Sequence, residues 1–438
     1  METINKYFNT YFLSIIVFSA LAGSGISYNK LYLIHILIGL GIVYCIAHYK
    51  NFNLFINKIQ RETKITTILI FFYILFSSLI LYPSQDTIKY SIIFLHGLAL
   101  IMIILFCSYI SYDTFWKKFN AGFLTFYIIN GIICLLEICT PFRYPWSRYS
   151  SYHISLGLSP FDRFASFNLT LVENVPTGFF YNENALCLFL IIALPFFIFC
   201  FDSKYLLVAN AFTFLIITMA NARLSFIVLI VLLIILTILF LCSYIFPKLN
   251  VINKYKYLTF GITTFFFITY VVTDGFGNLS EGHPITELNT YHIFPHLKHG
   301  ITVTDQSIAI RIEQIKNALY FCKKQPLLGI GGYNFLQKTA SIGGTSKFNT
   351  YDLHFYWLQL LVELGLIGFI FYFIWLCIPI YTLMITHIKH HNKINISILL
   401  SITIIIINCP AVGSLHYFIP MYLLWSCLFV QAFTEKWE

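Results

Sequence analysis

Residues 223–246 read RLSFIVLIVLLIILTILFLCSYIF, and no charged side chain follows Arg223 in this run. An α-helix rises about 1.5 Å per residue, so a run of this length covers the roughly 30 Å hydrocarbon core of a bilayer. The rest of the chain has the same character: 58% of its 438 residues are hydrophobic and only 10% are charged, whereas soluble domains carry about 25% charged residues. The sequence therefore predicts an all-α polytopic membrane protein.

Apolar windows of this kind recur along the chain and predict about twelve transmembrane helices, with eleven to thirteen as the range. No cleavable signal peptide is predicted, so the first window is expected to remain as a span. The helices are expected in two groups, residues 1–273 and residues 353–438, separated by one large, partly helical loop at 274–352. The windows fall near residues 8–24, 31–48, 65–83, 90–110, 120–140, 178–201, 205–221, 223–246, 257–273, 354–381, 395–416 and 418–433.

The short loops predict the orientation, because lysines collect on the side that carries the N-terminus. The positive-inside rule makes that side cytoplasmic, so both termini are expected inside. The loop at 274–352 and a shorter one at about 141–177 are then outside. The net charge of +9 is interpreted as topology signals and contacts with anionic lipids, and no nucleic-acid partner is predicted.

The arginines sort differently from the lysines. Of six arginines, Arg61 is predicted inside, and the other five fall on the outer side. The rigid donor fork of arginine suits phosphate better than the lysine ammonium does. The pattern predicts an anionic ligand on the outer face, although chance in so small a sample is the alternative. These five are Arg143, Arg148, Arg163, Arg223 and Arg311.

The long outer loop contains one predicted amphipathic helix that carries Arg311. Its apolar stripe, the side expected to pack inward, leaves Arg311 and Gln314 pointing away. A glycine-rich segment, 329–335, follows, and glycine lets the backbone approach a ligand closely. The stripe consists of Ile308, Ile312, Ile315, Leu319 and Cys322.

His354 stands where the loop ends and the next apolar run begins. Thr350 or Asp352 is a plausible N-cap, which would put the histidine in the first helical turn. The positive helix end favours the neutral imidazole, the form that a general base needs. A purely structural histidine at the membrane interface is the alternative.

These motifs together resemble the bacterial O-antigen ligase and polysaccharide polymerase superfamily. Their order and shared outer placement make the combination more specific than any single piece. Many members have asparagine after the closing histidine, whereas this chain has Phe355, which removes an amide that could help to orient the imidazole or a sugar. The resemblance rests on PTGFFYNEN at 176–184, NAR at 221–223, Arg311 with GIGGYNF at 329–335, and LHFYWLQLLVELG at 353–365.

The resemblance implies a GT-C-like glycosyltransferase of the bacterial inner membrane, with its active site facing the periplasm. The implied donor is an undecaprenyl-diphosphate-linked oligosaccharide. Arg223 and Arg311 are expected to bind the diphosphate, and His354 to deprotonate the acceptor hydroxyl. No metal or other cofactor is expected. The reaction is expected to invert the configuration at the anomeric carbon. The implied substrate-binding residues are Arg223, Arg311, Asn182, Asn184, Gly331 and Asn334.

Several functions remain open at this point. A polymerase would pass the glycan to another lipid-linked repeat unit, and is slightly preferred over a ligase that passes it to lipid A core or to protein. A lipid-linked glycan flippase is the main alternative of another class, and a non-catalytic assembly partner is a further one. His292, His296 and His299 have a spacing that could bind metal, but Pro295 among them argues against a regular helix.

Overall fold

The computed structural model of the chain describes residues 2–28, 31–155, 175–220, 222–245, 256–258, 260–265, 306–341, 353–390, 392–408 and 418–433. Nearly all of this is helical, apart from a two-stranded antiparallel ribbon of β1 (Ser27–Tyr28) and β2 (Leu31–Tyr32). The helices are α1 (Glu2–Ala22), α2 (Leu33–Ala47), α3 (Tyr49–Lys58), α4 (Arg61–Phe76), α5 (Gln85–Ile110), α6 (Tyr112–Cys139), α7 (Ser151–Ser155), α8 (Glu183–Cys200), α9 (Ser203–Met219), α10 (Arg223–Ile245), α11 (Gln306–Lys324), α12 (Phe335–Ser341), α13 (Tyr356–His390), α14 (Lys393–Asn408) and α15 (Ile419–Phe433). A π-helical turn, Ser77–Leu81, extends α4.

The prediction of an all-α membrane protein is confirmed. Within the described ranges, five helices are long and apolar enough to cross a bilayer, and five shorter apolar helices of 10–17 residues accompany them. The predicted total of about twelve spans stays a prediction. The five long spans are Arg61–Leu81, Gln85–Ile110, Thr114–Cys139, Glu183–Cys200 and Tyr356–His387.

Helices α2 and α3 form a bent pair, which the sequence analysis did not predict. They meet at 94°, and α3 occupies a stretch that was assigned to a loop. The segment is amphipathic: Phe55 is fully buried, whereas Lys50 and Lys58 are exposed. A helix of this kind is stable along a membrane interface, because crossing the bilayer would desolvate its lysines.

Small residues let the spans approach closely. A Cβ at Gly122 of α6 would lie 2.3 Å from the backbone oxygen of Ser14 in α1, and the Ser14 hydroxyl donates to the Lys118 carbonyl at 2.9 Å. Gly97 of α5 meets the ring of Tyr422 in α15 in the same way. Membrane helices associate through close packing and hydrogen bonds, since lipid offers no hydrophobic driving force between them.

Helix α8 packs along α14 through serine hydroxyls. Ser401 donates to the Ile192 carbonyl at 2.8 Å, and Ser397 donates to the Pro195 carbonyl at 3.2 Å. A proline inside a helix disrupts the hydrogen-bond ladder, so nearby carbonyls take other donors. The pair thereby fixes the direction of α8, whose first residues follow the 176–184 segment.

The predicted span 354–381 is present but interrupted. At Gly365, φ is 66° and ψ is −178°, which breaks α13 into residues 356–364 and 366–390. The second piece alone reaches the length of roughly 17–25 residues that crosses a bilayer. The first piece packs against α11 and against residues 326–331.

Candidate functional site

Helix α11 packs against the first piece of α13 with a face that the sequence analysis did not expect. Ala318 and Phe321 are buried, and Gln314 is only 9% exposed. Ile312 and Leu319, from the predicted inward stripe, are 42% and 49% exposed. The stripe prediction is wrong because the small Ala318 allows close contact with α13, and because Gln314 has a hydrogen-bond donor there.

That donor is the backbone of His354. The His354 N–H donates to Gln314 Oε1 at 3.4 Å, and the histidine itself is half-buried. Arg311 lies three residues before Gln314 on the same helix, so the two side chains share one face of α11. The structure thus brings the helix face of Arg311 to His354. Arg311 is also half-buried.

The start of α13 differs from the prediction. The helix begins at Tyr356, so His354 precedes it and does not lie in its first turn. Thr350 and Asp352, the predicted caps, lie outside the described residues. The influence of a helix dipole falls off within the first turn, so it supports the neutral imidazole less than expected.

The segment 326–331, here called the clamp, fastens the outer loop to the break in α13. Its hydrogen bonds satisfy carbonyls that end the first piece of α13 and N–H groups that begin the second. Such groups would otherwise be unpaired at a helix break. The bonds run from Ile330 N to Val362 O (2.9 Å), Gly331 N to Glu363 O (2.9 Å), Leu366 N to Pro326 O (2.8 Å) and Ile367 N to Leu327 O (3.2 Å).

Two glycines make the clamp possible. Gly329 and Gly365 both have positive φ, 68° and 66°. A Cβ on Gly329 would lie 2.4 Å from Gly365 N, and one on Gly365 would lie 2.3 Å from Gly329 N. Only glycine permits this backbone-to-backbone contact. The glycine cluster was predicted to let the backbone approach a ligand closely. In the structure, Gly329 instead brings the backbone close to α13 of the same protein.

The clamp is held from the other side by α4 and the turn after it. Tyr82 Oη donates to Gly329 O at 2.5 Å, and Tyr73 Oη donates to Leu364 O at 2.5 Å. Burial raises the pKa of Tyr82, which keeps its hydroxyl a donor. Sequence reasoning missed both tyrosines, because no local signal connects residues so far apart in the chain.

Gly331 and Asn334, two predicted substrate-binding residues, lie inside this assembly. Asn334 is 6% exposed, and its amide donates to the Ile330 carbonyl at 2.9 Å. A Cβ on Gly331 would meet Tyr82 at 2.8 Å. Their described contacts are with the protein itself, and a part in substrate binding stays a prediction.

Glu363 is fully buried beneath the clamp. Its Oε1 accepts from the backbone N–H of Tyr333 and from the Gln359 amide, each at 3.2 Å. Tyr333 has a φ of 60°, which is unusual for a residue with a side chain. Glu363 thus acts as a structural hydrogen-bonding group.

A second assembly holds the start of the 176–184 segment. The Glu137 carboxylate, fully buried, accepts from Thr177 N at 2.7 Å, Gly178 N at 2.8 Å and Tyr144 N at 3.1 Å. Asn130 Oδ1 accepts from Phe179 N at 3.0 Å. These bonds from α6 satisfy donors that would be costly to bury unpaired. Glu137 thus acts as a structural hydrogen-bonding group.

Asn182, a predicted substrate-binding residue, caps α8. Its Oδ1 accepts from Ala185 N at 2.9 Å, a usual role for asparagine at a helix start. Asn184, in the first turn, is half-buried. Both residues lie at the N-terminal end of α8, and their contact with substrate stays a prediction.

Arg148 forms an ion pair with the first residue of α8. Its Nη2 lies 2.6 Å from Glu183 Oε1, with side-chain exposures of 16% and 11%. Tyr149 Oη donates to Glu183 Oε2 at 3.1 Å. Burial alone would lower the pKa of Arg148, but the Glu183 carboxylate, together with Tyr149, raises it. The Arg148 charge is thus matched within the protein.

The five arginines predicted on the outer side therefore fall into two sets: those with structural contacts and those whose side chains the structure does not describe. Arg143 donates to the carbonyls of Glu137 and Val175, and Arg148 pairs with Glu183, so the described contacts of both are structural. Arg163 and the side chain of Arg223 lie outside the described residues. Whether Arg223, the first residue of α10, converges on Arg311 and His354 stays a prediction.

No group of three His, Cys, Asp or Glu side chains in the described parts of the chain could hold a metal ion. His292, His296 and His299 lie outside those parts.

Comparison with models of protein families identifies a match. Residues 208–373 fit the sequence model of a family described as O-Antigen ligase. The matched range includes Arg223, Arg311, the clamp and His354. It therefore covers α11, the clamp and the first piece of α13, which together are called the outer assembly after the side on which they are predicted to lie. Among the curated proteins, none matches the chain.

Proposed function

Because this match places the chain in an O-antigen ligase-related family, we propose that it is a GT-C-like membrane glycosyltransferase. It takes a glycan from an undecaprenyl-diphosphate-linked donor at the outer face of the bacterial inner membrane. Both termini are cytoplasmic in this proposal, and membrane lipids surround the spans. The contact between Gln314 and His354, which brings the Arg311 face of α11 to the histidine, is the observation that carries it.

The roles follow from the chemistry of the bond. The acceptor hydroxyl oxygen attacks the anomeric carbon and forms a new C–O bond, while His354 takes its proton. The bond from the anomeric carbon to the phosphate oxygen breaks, and the lipid diphosphate leaves with the electron pair. Arg311 and Arg223 stabilise that departing charge. A single displacement inverts the anomeric carbon, and no metal is required if the arginines supply the positive charge.

The outer assembly suits this work because it is rigid. A general base must sit within hydrogen-bond reach of the proton it takes. His354 and Arg311 come from two elements that the clamp and the Gln314 contact fasten together. The half-buried state of both side chains lets them act at the edge of a protected site, where electrostatic interactions exceed those in water.

Two candidate reactions use the same donor and differ in the acceptor. We propose a second lipid-linked repeat unit, which makes the protein a polymerase, on the strength of the 176–184 and 353–365 motifs. Lipid A core is the second candidate, favoured by the family's description as O-Antigen ligase. Purified protein supplied with one acceptor at a time distinguishes them by which product forms.

The broken helix does not favour a transporter. Transporters use helix breaks to coordinate substrate near the bilayer midplane. In this chain the four clamp bonds take up backbone groups on both sides of the break at Gly365. The break therefore supports an outer layer fixed to a span.

The first test is made in cells. We expect His354→Ala and Arg311→Ala to abolish glycan transfer, seen as a changed surface-glycan pattern on gels. Lys316→Ala is the matched control, because Lys316 is exposed on the same helix. Wild-type patterns from the first two variants, at normal protein levels, would show that these residues are not the catalytic ones.

A further inference from the structure

A cavity of about 500 Å³ opens at the end of α8 far from Asn182. Since α8 has 18 residues, the two ends lie about 27 Å apart, and the cavity faces the opposite side of the membrane from the outer assembly. The proposed transfer reaction makes no use of it. Its polar or reactive lining consists of Trp116, Asn120, Cys200, Asp202, Lys256, Asn392 and Lys393.

Two lysines from separate elements converge on this cavity. Lys256 is half-buried, and Lys393 begins α14. Burial and the neighbouring Lys393 ammonium both lower the pKa of Lys256. The two cations repel one another, and the lining carboxylate Asp202 offsets this repulsion only in part. Lys393 and Asp202 are both exposed to solvent. An anion placed between the lysines would relieve that repulsion.

Two more features favour an oxyanion. The cavity lies at the N-terminal end of α14, where the helix dipole favours negative charge. The cavity is also lined by the side-chain amides of Asn120 and Asn392, which can donate to oxygen.

The remaining wall is aromatic, from Phe196, Phe199 and Phe201. We propose that the cavity binds a phosphate-bearing anion, with Lys256 and Lys393 on its oxygens. The phosphate belongs either to a membrane phospholipid, whose apolar part would lie on the phenylalanines, or to free phosphate in solution. This proposal does not depend on the transfer reaction.

The test uses the full-length protein, purified in detergent and stripped of lipid. Native mass spectrometry measures binding of phosphatidic acid, and of phosphatidylcholine with the same acyl chains. Inorganic phosphate is added in a separate arm as a competitor. Each lysine near a lipid phosphate contributes about 1 kcal/mol, so Lys256→Gln and Lys393→Gln should each weaken phosphatidic acid binding about fivefold. The double variant should lose about 25-fold if the two effects add.

Lys204→Gln is the matched control, because Lys204 is exposed and lies outside the cavity lining. It should bind phosphatidic acid like the wild type. Displacement of the lipid by millimolar phosphate would identify free phosphate as the ligand, and resistance to it would identify the lipid. Equal binding by the double variant and the wild type, with both proteins monodisperse, would overturn the proposal. Equal binding of phosphatidylcholine and phosphatidic acid would also overturn it.

Discussion

Replacing Gly365 by alanine should detach the outer loop from α13. Its φ of 66° and ψ of −178° lie in a region that is essentially restricted to glycine, where another residue costs about 1–3 kcal/mol. The added Cβ would also lie 2.3 Å from Gly329 N and from Leu327 O. Both are backbone atoms, so the clamp itself must move.

The size of the effect follows from the bonds that this movement breaks. Losing two of the four clamp hydrogen bonds costs about 1–3 kcal/mol, at about 0.5–1.5 kcal/mol each. Together with the backbone strain, Gly365→Ala should destabilise the protein by about 2–6 kcal/mol. Glycan transfer should fall as well, because the clamp helps to hold the first piece of α13, which His354 immediately precedes.

The assay is the temperature at which half of the detergent-purified protein is lost from its monodisperse peak after heating. Gly39→Ala is the control: Gly39 is exposed within α2, and nothing lies within 4 Å of an added Cβ. Alanine is favoured over glycine in a helix by about 1 kcal/mol, so this variant should be at least as stable as the wild type. If Gly365→Ala behaves like Gly39→Ala, the clamp does not hold the outer layer.

Three further predictions concern the outer loop at 140–155 and the residues that hold it. Glu137→Gln should lower stability by about 1–3 kcal/mol, because an amide cannot accept from all the N–H groups that the carboxylate serves; thermal loss of monodisperse protein measures this, and an unchanged value would contradict it. Glu183→Gln should cost about 3–5 kcal/mol by leaving the Arg148 charge unmatched, and adding Arg148→Gln should restore part of the loss; strictly additive losses would contradict the pairing. Burial lowers the pKa of His153, so the folded state favours the neutral imidazole. The neutral imidazole therefore contributes its full share to folding stability above the pKa of the unfolded chain, about 6.5. That contribution is lost as the pH falls through the pKa of the folded state. Limited proteolysis of the loop should therefore accelerate below about pH 6.5 in the wild type but not in His153→Phe, and equal acceleration in both would rule out His153 as the cause.

The sequence predicted the membrane class well because that class depends on composition. Long uncharged runs such as 223–246 have few stable alternatives to a spanning helix. The sequence also singled out His354 and Arg311, from residue type and position alone. The structure places His354 against the helix that carries Arg311, through the contact with Gln314.

The missed features depend on distant partners. Gly365 lies in an apolar run like many other glycines, and its break becomes necessary only when Gly329 packs against it. Gln314 turns inward because the His354 N–H lies there, which helical periodicity cannot reveal. Tyr82 contacts Gly329 across 247 positions of the chain. Asn182 was expected to meet substrate, and its cap on α8 is a local role that its position before Glu183 could have indicated.

The central claim is that Arg311 and His354 act together on a lipid-diphosphate donor. The most direct measurement is the single-turnover rate of glycan transfer, with purified protein in excess over the donor and with saturating acceptor. The account predicts that His354→Ala slows transfer by about 10²–10⁴-fold, the usual contribution of a general base. Arg311→Ala should slow it by about 10²–10³-fold, while Lys316→Ala stays at the wild-type rate. Wild-type rates from folded His354→Ala and Arg311→Ala would contradict it.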